Sequence, residues 1–449
     1  MTTVQQSNRP RRRLHRAWII AGVTFLALIA SAAFRSSTGV LLEPLEHEFG
    51  WTRSTTSFAI TVNLVIYGLT APFAAALMQK FGIKQIVAMS LSLVVLGCLA
   101  TIVMRQSWQL VLAWGFLIGA GTGSMALVFG AIIANRWFVE RRGLVTGIFS
   151  AASSTGQLVF LPLMAQLIAH HGWRTAVAVV AAFALLLVPL VLWLLADTPD
   201  SVGIRAYGAS DDDPRPVADT TDRPARLAVS TLFKASRSWT FWVLMGTFFI
   251  CGWSTNGLIG SHFIPAAHDH GMPPTTAANL LALIGIFDIV GTVGSGWLTD
   301  RMDPRNLLMA YYGLRGLSLL IVPSVLGSTV DPPLFLFIIF YGLDWVATVP
   351  PTVALCREHF GVQSSAVVFG WVFASHMIGA GVAASFAGAV RAQTGDYRIA
   401  WLTAGALCVA AALSFFTIRQ RGDYADRAAP PVTGASPGMP PVAAEGATL

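Results

Sequence analysis

The chain has 449 residues, a net charge of +7 and a mean hydropathy of +0.64; 55% of its residues are hydrophobic and only 11% are charged. A soluble domain carries about 25% charged residues to solvate its surface, so this composition excludes a water-soluble enzyme of this length. Excess positive charge in a soluble protein would suggest nucleic acid, but here the basic residues sit beside apolar segments, and no nucleic-acid partner is expected.

Arg9, Arg11, Arg12, Arg13 and Arg16 open the chain, directly before an apolar run. The pattern is like the start of a signal peptide, but no small-residue cleavage site closes a short apolar core and many apolar segments follow, so residues 1–16 read as a basic cytoplasmic N-terminus. Apolar segments then fall at 17–42, 55–78, 85–104, 108–135, 143–168 and 174–196. Each is close to the roughly 20 residues that a helix needs to cross a bilayer. A polar stretch, 197–237, rich in Asp, Arg and Pro, reads as a cytoplasmic linker. Six further apolar segments follow at 239–266, 275–298, 306–326, 333–356, 365–390 and 398–418, and a Pro-, Ala- and Gly-rich tail, 419–449, is expected to be disordered. Cys98, Cys251, Cys356 and Cys408 all lie in apolar segments and read as small buried residues, with no metal-ligand spacing and no disulfide framework.

With the N-terminus inside, 22 of the 29 Lys and Arg residues fall on cytoplasmic segments and five on outer loops, while Arg35 and Arg315 lie within spans. That asymmetry predicts an even number of spans with both termini in the cytoplasm. The sequence also repeats. Leu77, Lys80 and Lys84 recur as Leu298, Arg301 and Arg305 at an offset of 221, Phe138 as Phe360 at 222, and Gly147 and Gly172 as Gly370 and Gly395 at 223. A near-constant offset implies a six-plus-six duplication: an all-α membrane protein of twelve transmembrane helices in two pseudo-symmetric bundles, 17–196 and 238–418. Duplicated transporters of this kind place the substrate between the halves near the midplane and rock around it.

After the eighth segment the chain reads Gly294-Ser-Gly296-Trp-Leu298-Thr-Asp300-Arg301-Met-Asp303-Pro-Arg305. This resembles the G-x-L-x-D-R-x-G-R loop signature of the major facilitator superfamily, and the resemblance extends over about residues 17–418. Glycines there allow close helix approach, and Asp300, Arg301, Arg305 and Arg142 are candidates for a gating latch between the halves. In the equivalent first-half loop Gln79 takes the acid's place, followed by Lys80, Gly82 and Lys84. Within the superfamily the chain is similar to the bacterial monocarboxylate and oxalate–formate porters. The similar pieces are Glu48-Phe-Gly50-Trp51-Thr-Arg53, Trp137-Phe138-Val-Glu140-Arg141-Arg142-Gly143, Gly172-Trp173-Arg174 and Thr394-Gly395-Asp396-Tyr397. The resemblance implies a bacterial inner membrane and a monomer. The Arg in the fourth span and the Gly-Pro pair in the fifth that drug–proton antiporters of the superfamily carry are both absent.

Charges inside spans are costly and mark functional candidates. Arg35, late in the first span, could hold a carboxylate substrate in its planar fork; the alternatives are a snorkelling Arg or one paired to a protein acid. Asp288 in the eighth span is the candidate proton carrier, or else a member of a structural ion pair. Monocarboxylate porters resemble this segment with an Arg four residues later, where this chain has Thr292. Arg315 and Asp344 are expected to pair structurally, because the ninth span of this fold sits outside the cavity. His376 stands where oxalate–formate porters tend to carry a Lys; it could bind an anion or relay a proton, or simply be satisfied between helices. Asn63, Tyr67, Gln157, Asn256, Tyr341 and Trp371 complete the candidate lining, each as open to a helix-packing role as to a substrate one.

The sequence contains no nucleotide-binding loop, no metal-spaced His/Cys cluster and no nucleophile elbow, so neither an enzyme nor a cofactor is expected. The leading expectation is a secondary transporter coupling protons to a small, monocarboxylate-like organic anion. The alternative is an exporter of an amphipathic compound or drug by proton antiport. A non-transporting membrane sensor is the third, weakened by the lack of a sizeable signalling domain.

Overall fold

The computed structural model describes residues 15–210 and 223–418; Arg9, Arg11, Arg12, Arg13, Arg215 and the tail 419–449 lie outside the described residues. Apolar runs of span length become helices because a backbone in lipid must satisfy its polar groups internally. The first half holds α1 (Arg16–Phe49), α2 (Arg53–Phe81), α3 (Ile83–Val103), α4 (Ser107–Trp137), α5 (Arg142–His171) and α6 (Trp173–Leu194). The second holds α7 (Trp239–Asp269), α8 (Pro274–Thr299), α9 (Pro304–Val325), α10 (Pro332–Asp344 and, past an irregular turn, 349–360), α11 (362–394) and α12 (Arg398–Ser414). Among the described residues, eleven helical stretches are long and apolar enough to cross a membrane. One of them, Pro332–Thr394, is 63 residues long, and Gly361 at φ 75° breaks it into α10 and α11, giving twelve spans.

The ends of the helices carry the duplication into the backbone. The left-handed residues Gly50, Arg141 and Gly172 of the first half recur as Gly271, Gly361 and Gly395, 220 to 223 positions later. The break in α4 at Met125 and Ala126 recurs as the irregular turn 345–348 of α10. Packing follows the same symmetry. Helix α3 lies against α6 as α9 lies against α12, and the halves meet along α5 with α8 and along α2 with α11.

The two seams between the halves are built on equivalent glycines. A Cβ on Gly147 of α5 would stand 2.6 Å from the Thr292 carbonyl oxygen of α8, and one on Gly370 of α11 would stand 2.6 Å from Cα of Pro72 in α2. Only glycine permits backbones this close.

The polar stretch between the halves is more structured than its composition suggests. Asp197 accepts a hydrogen bond from the Lys84 amide at the start of α3 (2.9 Å), and Tyr207 pairs with the backbone on both sides of Phe138, at Trp137 and Val139. A twelve-residue amphipathic helix, Pro224–Ala235, then lies against α2 and α11.

Candidate functional site

At the end of the bundle that carries the basic loops, the halves are sealed. The Asp300 carboxylate, at the end of α8, accepts hydrogen bonds from the backbone amides of Gly143 (2.6 Å) and Leu144 (2.9 Å) in the first turn of α5. An acid at a helix N-terminus meets unpaired amides and the positive end of the helix dipole, and here it does so from the opposite half. Gln79, at Asp300's repeat position, donates to the Gln363 carbonyl at the start of α11 (2.8 Å). The contacts of Arg301 and Arg305 lie within the second half. Arg301 lies over the Trp297 ring, Arg305 pairs with Asp303 (2.6 Å), and Arg142 donates to the Phe138 carbonyl. Asp300 thus bridges the two halves through its carboxylate.

At the opposite end the ion pairs tie each half to itself. Glu48 of α1 pairs with Arg174 of α6 (2.6 Å), and Asp269 of α7, at Glu48's repeat position, pairs with Arg391 of α11 (2.6 Å). A cavity of about 830 Å³ opens there between α1 and α5, with Glu43, His47 and Glu48 on its wall, apart from the intramembrane cluster described next.

Between these ends, a chain of side chains crosses from one half to the other. Arg35 of α1 donates from Nη1 to the Tyr67 hydroxyl of α2 (3.0 Å) and covers its ring at 4.5 Å. Tyr67 meets Phe373 of α11 edge-on (5.5 Å), Phe373 stacks on His376 (6.0 Å), and His376 Nε2 faces the Asn256 amide of α7 (3.3 Å). Among the described residues, His376 Nδ1 is buried with no hydrogen-bond partner.

Asp288 lies elsewhere, at the seam of α5 and α8, and is completely buried. Its carboxylate accepts from Ser154 of α5, from Thr292 one turn along α8 (2.7 Å) and from the Val346 amide in the irregular turn of α10 (2.9 Å). All three donors are neutral, and one belongs to the other half. No ion pair between Asp288 and a Lys or Arg is present among the described residues. Thr292 thus puts a hydroxyl where porters of the resembling group carry a cation.

Arg315 and Asp344 are brought together inside the second half. Arg315 is fully buried; its Nε donates to Asp344 Oδ2 (2.5 Å), and Nη2 to the carbonyls of Asp344 (2.5 Å) and Trp345 (3.2 Å). Nη1 turns to Cys251 Sγ (3.2 Å), so Cys251 is a hydrogen-bond acceptor beside a cation rather than an apolar filler. The remaining cysteines, Cys98, Cys356 and Cys408, are buried and free.

The neutral candidates divide. Asn63 donates to the Trp114 carbonyl of α4 (2.6 Å), Tyr341 to the Ser254 carbonyl of α7 (2.8 Å) and Trp371 to the Ala228 carbonyl of the linker helix (3.0 Å). These three spend their donors on neighbouring backbone. Gln157 is exposed, one turn beyond Ser154 on α5. Sequence reasoning missed Ser154 as a partner of Asp288, because nothing in either helix alone reports a contact across the duplication. Among the described residues no group of His, Cys, Asp or Glu is placed to hold a metal ion.

The family model of the Major Facilitator Superfamily matches residues 24–383 and, overlapping, 251–443. The chain is similar to YcxA, an MFS-type transporter of Bacillus subtilis, at 24% identity over 83% of this chain and 87% of that one. It is also similar to Monocarboxylate transporter 13 of Rattus norvegicus, at 26% identity over 88% and 86%. The fold matches the fucose:proton symporter FucP of Escherichia coli with a TM-score of 0.67 at 17% identity, covering 90% of this chain and 100% of that one. With twelve spans, a six-plus-six repeat and a family match over most of its length, the chain belongs to the major facilitator superfamily and is a multi-pass membrane transporter rather than an enzyme.

Proposed function

We propose that the protein moves a small, monocarboxylate-like organic anion together with protons by alternating access. The observation that carries this reading is Asp288: an acid sealed in the membrane, held by neutral donors only, and bonded through Ser154 to the half against which it must move. A carboxylate at this position can accept one proton and so pass between its charged and neutral forms during the cycle. Protonation also changes the bond across the seam, turning an acceptor of the Ser154 hydroxyl into a potential donor to it.

In this reading Arg35 holds the substrate carboxylate, and Tyr67 fixes the guanidinium plane from below. Anion on Arg35 and proton on Asp288 then enter as a neutral pair, so the loaded carrier moves no extra charge through lipid. Gln157, Asn256 and His376 complete the proposed substrate set. Asn63, Tyr341 and Trp371 shape the helices behind it, Arg315 and Asp344 hold the second half rigid, and Asp300 with Arg142, Arg301 and Arg305 forms the gate. The relatives named as monocarboxylate transporters support the substrate class.

The same reading places the basic loops and both termini in the cytoplasm, in the inner membrane of a bacterial cell. The proposed division is residues 1–16 as the basic N-terminus, 17–196 and 238–418 as the bundles, 197–237 as the linker and 419–449 as the tail, with the protein working as a monomer. The structure is then closed inside and poised to load from outside.

The test is uptake of a panel of radiolabelled short carboxylates into proteoliposomes, with and without an inward proton gradient. Gradient-stimulated uptake of at least one acid is expected. A folded protein that takes up none of them, but exchanges hydrophobic cations for protons, would replace this reading with the antiport one.

A further inference from the structure

The linker helix Pro224–Ala235 has three distinct surfaces. Ala228, Thr231 and Ala235 are buried against α2 and α11, one helix from each half, and the Trp371 indole of α11 donates to the Ala228 carbonyl (3.0 Å). Next around the helix come Val229 and Phe233, one turn apart, with Phe233 65% exposed. The remaining arc is basic: Arg223, Arg226 and Lys234 are exposed, Arg237 follows in the next turn, and no acid occurs from Arg223 to Trp239. Among the described residues no carboxylate pairs with any of the four.

The helix leads directly into α7 at the membrane boundary. Trp239 and Trp242, both more than half exposed, continue the apolar rim of Phe233. Their indole N–H groups are turned inward, to the Thr417 hydroxyl (2.8 Å) and the Ser236 carbonyl (2.7 Å). Exposed ring faces with anchored polar edges suit the headgroup–acyl boundary. A helix with one side packed, an aromatic rim beside it and a run of uncompensated cations beyond fits one occupant: the surface of a bilayer bearing negative charge.

We propose that this helix is a membrane-surface strap, in which Arg223, Arg226, Lys234 and Arg237 bind anionic phospholipid headgroups, Phe233, Trp239 and Trp242 enter the acyl boundary, and the buried face holds α2 and α11 together at the closed end. Opening that end separates α2 from α11 and must free the strap from one of them. Anionic lipid, by holding the strap in place, therefore favours the closed arrangement.

The test is hydrogen–deuterium exchange of the 224–237 amides in the full-length protein, reconstituted in nanodiscs of phosphatidylcholine with or without phosphatidylglycerol. Each cation near an anionic surface strengthens association roughly fivefold, so phosphatidylglycerol should slow exchange in this segment by well over that factor. Replacing the four cations (Arg223→Gln, Arg226→Gln, Lys234→Gln, Arg237→Gln) should abolish the slowing, and Arg226→Lys with Arg237→Lys should retain it. High salt applied to the unaltered protein should also erase it, which decides the matter even if the fourfold variant fails to fold. Equal exchange in the two lipids, slowing that survives both charge removal and salt, or equal slowing by soluble glycerol phosphate in detergent would overturn the proposal; the last result would mean a small-anion site instead of a membrane surface.

Discussion

Arg35 in α1 of the first half and Arg315 in α9 of the second are treated in opposite ways. Arg315 in the second half is fully buried and saturated by Asp344, two backbone carbonyls and a cysteine sulfur, so its charge is consumed by the fold. Arg35 in the first half is only partly buried and lies on the ring and hydroxyl of Tyr67, at the start of the side-chain chain that crosses between the halves. The acids show the same division. Asp344 faces a guanidinium, whereas Asp288 faces three neutral donors, one of them from the opposite half. A charge in a membrane span thus points to function only after its partners are known: Arg315 and Asp344 pair inside one half, whereas Asp288 sits at the seam between the halves.

The sharpest way to break this comparison is to truncate both arginines. Arg315→Ala strands Asp344 in the interior and should destabilise the protein by about 3–5 kcal/mol, read as a large fall in thermal unfolding temperature in detergent; Arg315→Lys should rescue little, since one ammonium cannot reproduce the fork. Arg35→Ala should leave the unfolding temperature nearly unchanged but weaken carboxylate binding by the worth of a charge-assisted hydrogen bond, about 1.5–3 kcal/mol, or roughly tenfold to a hundredfold. Equal stability losses in the two variants would erase the distinction drawn here.

The seams sharpen it further. Gly147→Ala or Gly370→Ala inserts a methyl group 2.6 Å from opposing backbone, so the closed arrangement must open. The expected readout is increased labelling of a cysteine introduced at Gln363, with little change in expression. Unchanged labelling would mean that the seams tolerate the methyl group by local adjustment.

The smallest effect belongs to Glu48. The Arg174 guanidinium, helped by the Trp173 indole, holds its carboxyl below the usual glutamate range. A depressed acid stabilises the fold above its unfolded-state value and loses that contribution as pH falls through the depressed value. The pair is solvent-exposed, so Glu48→Gln should cost under about 1 kcal/mol at neutral pH, with the difference from the unaltered protein vanishing in acid. A larger or pH-independent loss would assign Glu48 a different role.

Most of the fold was legible because lipid imposes a one-dimensional code: long apolar runs, basic loops on one side and a repeat offset of 221 to 223. The backbone added the same period in Gly50 with Gly271 and Gly172 with Gly395, whose left-handed conformations end or separate helices. By composition, 197–237 is only a polar linker. The spacing of Leu227, Ala228, Leu232 and Ala235 carries an amphipathic helix there, but one too short and too polar to give a span-length signal. The site was less legible. Thr292 one turn from Asp288 could be anticipated from helical spacing, but Ser154 and Val346 reach that acid from α5 and from the irregular turn of α10, far away in the chain. The same limit hid the division among the neutral candidates, since whether Asn63 or Tyr341 binds a substrate or a carbonyl depends on which backbone lies opposite.

The coupling role of Asp288 is tested by two modes of transport by Asp288→Asn in proteoliposomes: exchange of labelled for unlabelled carboxylate at symmetric pH, and accumulation driven by a proton gradient. Exchange should persist while gradient-driven accumulation is lost, because the neutral amide still fills the seam but carries no proton. Accumulation that survives the substitution would contradict it and remove Asp288 from the coupling path.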